Sequence, residues 1–383
     1  MFDFAVIGGG IAGASVAYEL AARSSVLLIE REAHCGYHTT GRSAALFSEN
    51  YGNATIRALS RASRGTYEAP PENFTQNPLL NPRDVMFIAR DDQMDSVAAM
   101  SDILGSGGKR PHVLDVGAVC ARVSIMRPDY VACALLDESS MDIDVHALHQ
   151  GYLRGARSRG ARIATSEEVL ELTRNSAGWN ITTSTATFQC ATVINAAGAW
   201  ADSLAIAAGA SAVGLTPLRR TAMILDAPEA VDVSSWPLVL DIDEEFYFKP
   251  EAGKLLASPA DETPSLPCDA QAEEIDLAIA IDRIQQAANL PVRSISRHWA
   301  GLRTFAADRS PVVGYDPHLP NFFWLAGQGG YGIQTAPALA KVAAALARGE
   351  AVPGTILDEG FDVSAVSPSR IQPTSPVSDK SDI

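Results

Sequence analysis

An α/β fold is predicted by three observations: an apolar strand run joined directly to a glycine-rich turn and a small-residue helix, a second strand that ends in an acid, and strand pairs further along that interrupt this alternation. Phe4-Ala5-Val6-Ile7 reads as a short buried strand, and Gly8-x-Gly10-x-x-Gly13 follows at once. Gly8 permits the tight turn, Gly10 lets the backbone approach a pyrophosphate, and Gly13 lets the next helix lie close to the sheet. That helix, expected from 11 to about 22, carries Ala12, Ala14, Ala17, Ala21 and Ala22. Its N-terminus presents amides and a positive dipole end to a diphosphate. Val26-Leu27-Leu28-Ile29 forms the second strand and delivers Glu30, where an acid accepts from a ribose diol. The spacing predicts a Rossmann-like dinucleotide cradle. Glycines that serve only turn and packing are the competing reading, and the second strand with its acid argues against it.

The later elements follow in order. Arg83-Asp84-Val85-Met86-Phe87-Ile88 suits a sheet strand, and 241–249 with 254–258 suggests a hairpin around Pro250-Glu251-Ala252-Gly253. Asp144 opens a helix through about Arg159, closed by Gly160. His146 and His149 lie on it without a third ligand candidate, so they read as surface or packing residues and no metal is expected. Residues 161–164 and 169–172 return to strand character. The pattern predicts a cofactor domain in three pieces (1–82, 142–216 and 306–364) and a mainly antiparallel α+β substrate domain inserted as 83–141 and 217–305. The segment 365–383, rich in Pro, Ser, Asp and Lys, is expected to be disordered.

Composition narrows the function. With 383 residues and 47% apolar content the chain can bury two cores. No apolar run approaches the ~20 residues that span a bilayer, and no basic region precedes Phe4 to suggest a signal peptide. Five scattered cysteines (Cys35, Cys120, Cys133, Cys190, Cys268) show no C-x-x-C spacing, so neither a disulfide frame nor a zinc site is indicated and a cytoplasmic setting is expected. The net charge of −15 repels nucleic acid. It also repels carboxylates, so a site for an amino-acid anion must concentrate its own arginines. A monomer acting on a small molecule is the expectation.

Beyond Glu30-Arg31-Glu32, the stretch Tyr37-His38-Thr39-Thr40-Gly41-Arg42-Ser43-Ala44-Ala45 resembles the D-amino-acid oxidase superfamily of flavoproteins, most closely its bacterial D-arginine dehydrogenase type. Val193-Ile194-Asn195-Ala196-Ala197-Gly198-Ala199-Trp200 and Gly327-Gln328-Gly329-Gly330-Tyr331-Gly332-Ile333-Gln334-Thr335 agree with it, and the likeness runs from residue 1 to about 370. The resemblance implies the FAD-binding fold of the glutathione-reductase/D-amino-acid-oxidase type and FAD, held non-covalently. Its cofactor contacts map onto Gly8, Gly10, Ala12, Gly13, Glu30, Arg31, Thr39, Thr40, Gly41, Arg42, Ser43, Ala44, Ala45, Val169, Gly198 and Trp200, and onto Gly329, Gly330, Tyr331, Gly332, Ile333 and Gln334.

The implied reaction is oxidative deamination of free D-amino acids by hydride transfer from the α-carbon to FAD, giving an imino acid and then a 2-oxo acid and ammonia. Arg303 and Arg220 match positions that hold the substrate carboxylate, and a guanidinium grips a carboxylate through two parallel charge-assisted bonds. Tyr247 and Tyr51 match substrate-site tyrosines, and the Gly330 carbonyl matches the acceptor of the substrate amine, so no side-chain base is required. Where D-arginine-type enzymes place a glutamate and a histidine, this chain has Val85 and Leu46. With Leu238 and Leu240 they predict an apolar pocket for neutral side chains, unless a one-residue slip brings in Asp84. Oxidation of secondary amines in the manner of sarcosine or glycine oxidase shares fold, cofactor and clamp. A 2-hydroxy-acid dehydrogenase and a non-catalytic dinucleotide-binding module are more remote. The residues do not distinguish oxygen, a quinone or a carrier as electron acceptor.

Overall fold

The computed structural model describes residues 1–105, 111–229 and 231–371. Its framework is an eight-stranded sheet whose centre is parallel: Phe2–Ile7 lies between Val26–Ile29 and the C-terminal half of Thr187–Asn195. Phe322–Ala326 and Arg162–Ala164 extend the parallel part on its two sides. The apolar runs read from the sequence are central because both their faces are covered. Helices Ile11–Leu20, Val145–Ser158 and Gly332–Ala347 pack on one face, joined by Ala14, Ala17, Ala156 and Ala343, which are buried without residual exposure. Such small side chains let helix axes come close and leave the glycine turn no room to relax.

A nine-stranded, mostly antiparallel sheet forms the second layer. Its backbone is the pairing of Thr216–Leu225 with Ile295–Phe305 from Thr216↔Phe305 to Leu225↔Ile295, which carries Arg303 from the substrate sheet to the edge of the first. One parallel pair interrupts it, Leu238–Asp241 beside Val85–Ala89. A three-stranded sheet of Leu46–Phe47, Met141–Ile143 and Leu80–Pro82 bridges the two layers. At that bridge the buried Lys249 ammonium meets Asp142 at 2.6 Å, and Arg83 reaches the same carboxylate at 2.9 Å.

Three local expectations need correction. The first helix stops at Leu20, with Ala21 as its C-cap. Residues 241–249 form no single strand: Leu238–Asp241 and Tyr247–Glu251 flank a turn, because the buried Asp241 carboxylate accepts from the Asp243 and Glu245 amides at 3.0 and 3.4 Å. Disorder from 365 fails for 365–371, where Val366 joins the helix-side core and Arg370 grips Asp308 at 2.7 Å. Residues 372–383 lie outside the described residues. Among the described residues no helix is long and apolar enough to cross a membrane, and no cluster of His, Cys, Asp and Glu could hold a metal ion.

Candidate active site

The sheet's C-terminal edges and the loops above them enclose a cavity of about 360 Å³. Its lining includes Gly8, Gly10, Ala12, Glu30, Arg31 and Val169, Thr39, Thr40, Ser43, Gly198 and Trp200, and Arg303, Gly329, Gly330, Gly332 and Ile333. Ligands in open α/β sheets bind at this edge.

The cradle works by exclusion of side chains. Gly8 has φ +109°, and a Cβ there would sit 2.3 Å from the Ala196 carbonyl oxygen; one on Gly13 would sit 1.8 Å from that of Gly8. Both clashes are with backbone, so neither can be relieved by a rotamer change. Glu30 is fixed by its neighbours: its carboxylate accepts from the Gly9 amide at 2.7 Å and the Glu32 amide at 3.0 Å. A carboxylate has about four acceptor sites, which leaves capacity for a ribose diol. The Thr40 oxygen accepts from the Ile11 amide at 2.9 Å, which ties its loop to the start of the first helix. Thr39 bonds the Leu302 carbonyl at 2.7 Å, and the Arg31 guanidinium stacks on Trp200 at 4.0 Å. Cys35 lies against this turn, and burial pushes its thiol up to about 11, so it stays protonated and unreactive.

Several residues assigned to the cofactor do not line the cavity. Arg42 turns the other way, giving one nitrogen to the Ala270 and Ala300 carbonyls at 2.9 Å each and another to Asp269, so it straps the loop to the substrate sheet. Gly41 closes a turn onto the Gly36 carbonyl at 2.8 Å, and Gly13 serves helix packing. Ala44 and Ala45 pack into apolar clusters. Gln334 is buried between the Ser48 amide and the Ser60 hydroxyl, and Tyr331 packs edge-on against Tyr51. Gly36, Glu168, Ser203 and Thr304 also line the cavity without having been singled out from the sequence, and His38, which the sequence placed near the cofactor region, lines it too. Thr304 directly follows Arg303 in the chain, but sequence adjacency does not tell which way its side chain faces.

Arg303 is the charged centre. It lines the cavity against Gly330, where a Cβ would come within 3.0 Å of its Nη1. Among the described residues no carboxylate comes within 4 Å of its guanidinium. Burial works against its charge, but Tyr51, Tyr247, Glu244 and Glu262 around it prevail and hold its pKa above the ordinary value. Arg220 has no such freedom: it is buried, does not line the cavity, and pairs with Glu262 at 3.4 Å, a carboxylate that Arg309 also holds at 2.7 Å. Arg309 keeps that carboxyl below its usual range. Tyr51 sits behind Arg303, its hydroxyl 3.5 Å from Glu244, and burial followed by the Glu244 charge pushes the phenol well up.

Of the four residues expected to face a substrate side chain, Val85 and Leu238 are buried in one apolar cluster, and the half-buried Leu46 and Leu240 pack against it. Val85, Leu238 and Tyr247 are 2%, 7% and 9% exposed in one apolar cluster to which Leu46 and Leu240 add their sides, and none lines the cavity. Asp84 is directed to Arg122 at 3.8 Å instead. Strand alternation separates it from Val85.

Comparison with known proteins agrees with the geometry. A model of the family described as FAD dependent oxidoreductase (DAO) matches residues 3–346. The 4-methylaminobutanoate oxidase (formaldehyde-forming) of Paenarthrobacter nicotinovorans is 26% identical over 95% of this chain and 45% of its own length; the chain thus spans less than half of that relative. A glycine oxidase of Geobacillus kaustophilus is 22% identical over 88% of this chain and 90% of its own length. The crystal structure of glycine oxidase from that organism superposes with a TM-score of 0.82, 22% identity, and coverage of 96% and 98%. The L-alpha-glycerophosphate oxidase of Mycoplasma pneumoniae with FAD bound follows at 0.81, 17%, 91% and 94%. These relatives are not D-arginine dehydrogenases, so the broad resemblance stands and the narrow one does not. The side-chain-free cradle fits a dinucleotide, and with the family match extending across both large sheets, the chain belongs to the FAD dependent oxidoreductase (DAO) family and uses FAD.

Proposed function

We propose that this protein oxidises a small amine that carries a carboxylate, with glycine-type and N-methylated amines ahead of D-amino acids. The observation that carries the reading is Arg303: a guanidinium on the cavity wall, held charged, with no carboxylate of the described protein in ion-pair reach. Two charge-assisted hydrogen bonds to a substrate carboxylate would contribute about 1.5–3 kcal/mol each. Gly330 leaves space beside that guanidinium and offers a backbone carbonyl to the amine. Bound FAD supplies the two-electron acceptor for oxidation of the C–N bond. The chain's own task is placement, since near-attack geometry accounts for much of such a barrier.

None of the residues expected to take an apolar α-substituent lines the cavity beside Arg303, which favours small substrates over D-amino acids. The names of the relatives point the same way. Oxidation of D-amino acids with apolar side chains is the second reading, supported by the apolar character of that cluster and by the engagement of Asp84 with Arg122.

Anaerobic bleaching of the flavin should be followed with glycine, N-methylglycine, 4-methylaminobutanoate, D-leucine and D-methionine. The reading predicts that one of the first three reduces the flavin at least tenfold more efficiently than either D-amino acid. Faster reduction by D-leucine or D-methionine reverses the order of the two readings.

A further inference from the structure

We propose that His38 Nδ1 and the Thr304 hydroxyl are hydrogen-bond partners of FAD. Among the described residues four buried side-chain polar atoms have no hydrogen-bond partner: His38 Nδ1, Thr304 Oγ1, Arg219 Nε and Arg220 Nε. Both arginines have terminal nitrogens bonded to carboxylates. The other two residues share one feature: both line the cavity. Buried polar atoms are almost always paired, and an unpaired one is costly to keep. Two in residues that line one cavity mark places where a bound group completes the pairing.

Each atom is held in position. The His38 Nε2 lies 2.9 Å from Glu32 Oε1 and 3.2 Å from Arg31 Nη2, and the ring packs against Trp200 at 4.8 Å and Tyr37 at 5.0 Å. The charged group nearest Nδ1 is Asp269 at 3.9 Å, beyond hydrogen-bond reach and already bound by Arg42. Thr304 is 6% exposed on the long strand, its carbonyl accepts from the Gly329 amide at 2.8 Å, and its branched side chain is stiff. His38 contacts Arg31, the residue after Glu30, which suits the ribose and diphosphate. Thr304 stands beside Arg303 and Gly329, which suits the polar edge of the flavin ring. A hydroxyl or an imidazole nitrogen serves as donor or acceptor as the ligand requires.

The test is FAD affinity, measured by fluorescence titration of the full-length apoprotein, with melting curves taken with and without FAD. Thr304→Val removes the hydroxyl at constant shape, and Thr304→Ser restores it. His38→Gln keeps a polar group near the Nε2 position but loses Nδ1, whereas His38→Asn keeps one near Nδ1. Val and Gln should each weaken FAD binding about five- to tenfold, the size of one net hydrogen bond, while Ser and Asn stay within about twofold. Thr304→Val apoprotein should melt no lower than wild type, because it loses an unpaired buried hydroxyl. Unchanged affinity in Thr304→Val or His38→Gln removes that residue from the cofactor's contacts, and unchanged affinity in both overturns the proposal.

Discussion

At the scale of single residues, burial decides which groups act and which only hold the structure. His149 illustrates the second kind: it is 4% exposed, its Nε2 donates to the Gly9 carbonyl at 2.9 Å, and burial lowers its pKa although that bond opposes the shift. A histidine kept neutral in the fold binds fewer protons than in the unfolded chain, so the stability it contributes is present above the unfolded pKa of about 6.5 and is lost as pH falls below it. Melting temperature should therefore drop more steeply from about pH 7 to about pH 5 in wild type than in His149→Gln, which keeps a donor for Gly9. Parallel melting profiles for the two proteins would show that His149 does not titrate in the fold. Arg42 and Arg220 show where residue identity fails as a guide. Their partners, Asp269, Ala270, Ala300 and Glu262, are remote in sequence, and only the folded register brings them near.

At the scale of elements, the cradle was legible because everything it needs is local. Strand, turn, helix and acid lie within thirty residues, and the Gly8 to Gly13 spacing is dictated by one backbone contact. Gly13→Ala should expel bound FAD and lower the melting temperature by several degrees, since overpacking against backbone costs about 1–3 kcal/mol; absorption of the purified protein and its melting curve check both. The bridge between the two large sheets rests on Asp142, which serves Lys249 and Arg83 together. Asp142→Asn leaves the Lys249 ammonium, 6% exposed, with Glu251 at 3.5 Å as its remaining acid, and should cost about 3 kcal/mol in chemical denaturation. A loss below about 1 kcal/mol would mean that the bridge does not couple the layers. Neither partner was readable beforehand, because pairing between sheets depends on crossings that no sequence spacing encodes.

For the molecule as a whole, the division of labour follows from its two sheets. The parallel sheet supplies a rigid edge for the dinucleotide, and the antiparallel sheet brings Arg303 to that edge along a ten-pair ladder. Arg303, Gly330 and the cradle residues Gly8, Gly10, Ala12 and Glu30, picked out in the sequence, come together on one cavity. Val85, Leu46, Leu238 and Leu240 gather in one apolar cluster outside that lining, and apolar residues at pocket positions and in a packed core look alike in sequence until their exposure is known.

The account turns on Arg303 as the grip for the substrate carboxylate. Its most direct test is anaerobic flavin reduction in wild type and Arg303→Leu, each with the best substrate from the amine screen and FAD binding measured alongside. Loss of two charge-assisted bonds predicts at least a hundredfold fall in the second-order rate constant for reduction, with FAD still bound. Reduction of Arg303→Leu at the wild-type rate and substrate affinity would contradict it.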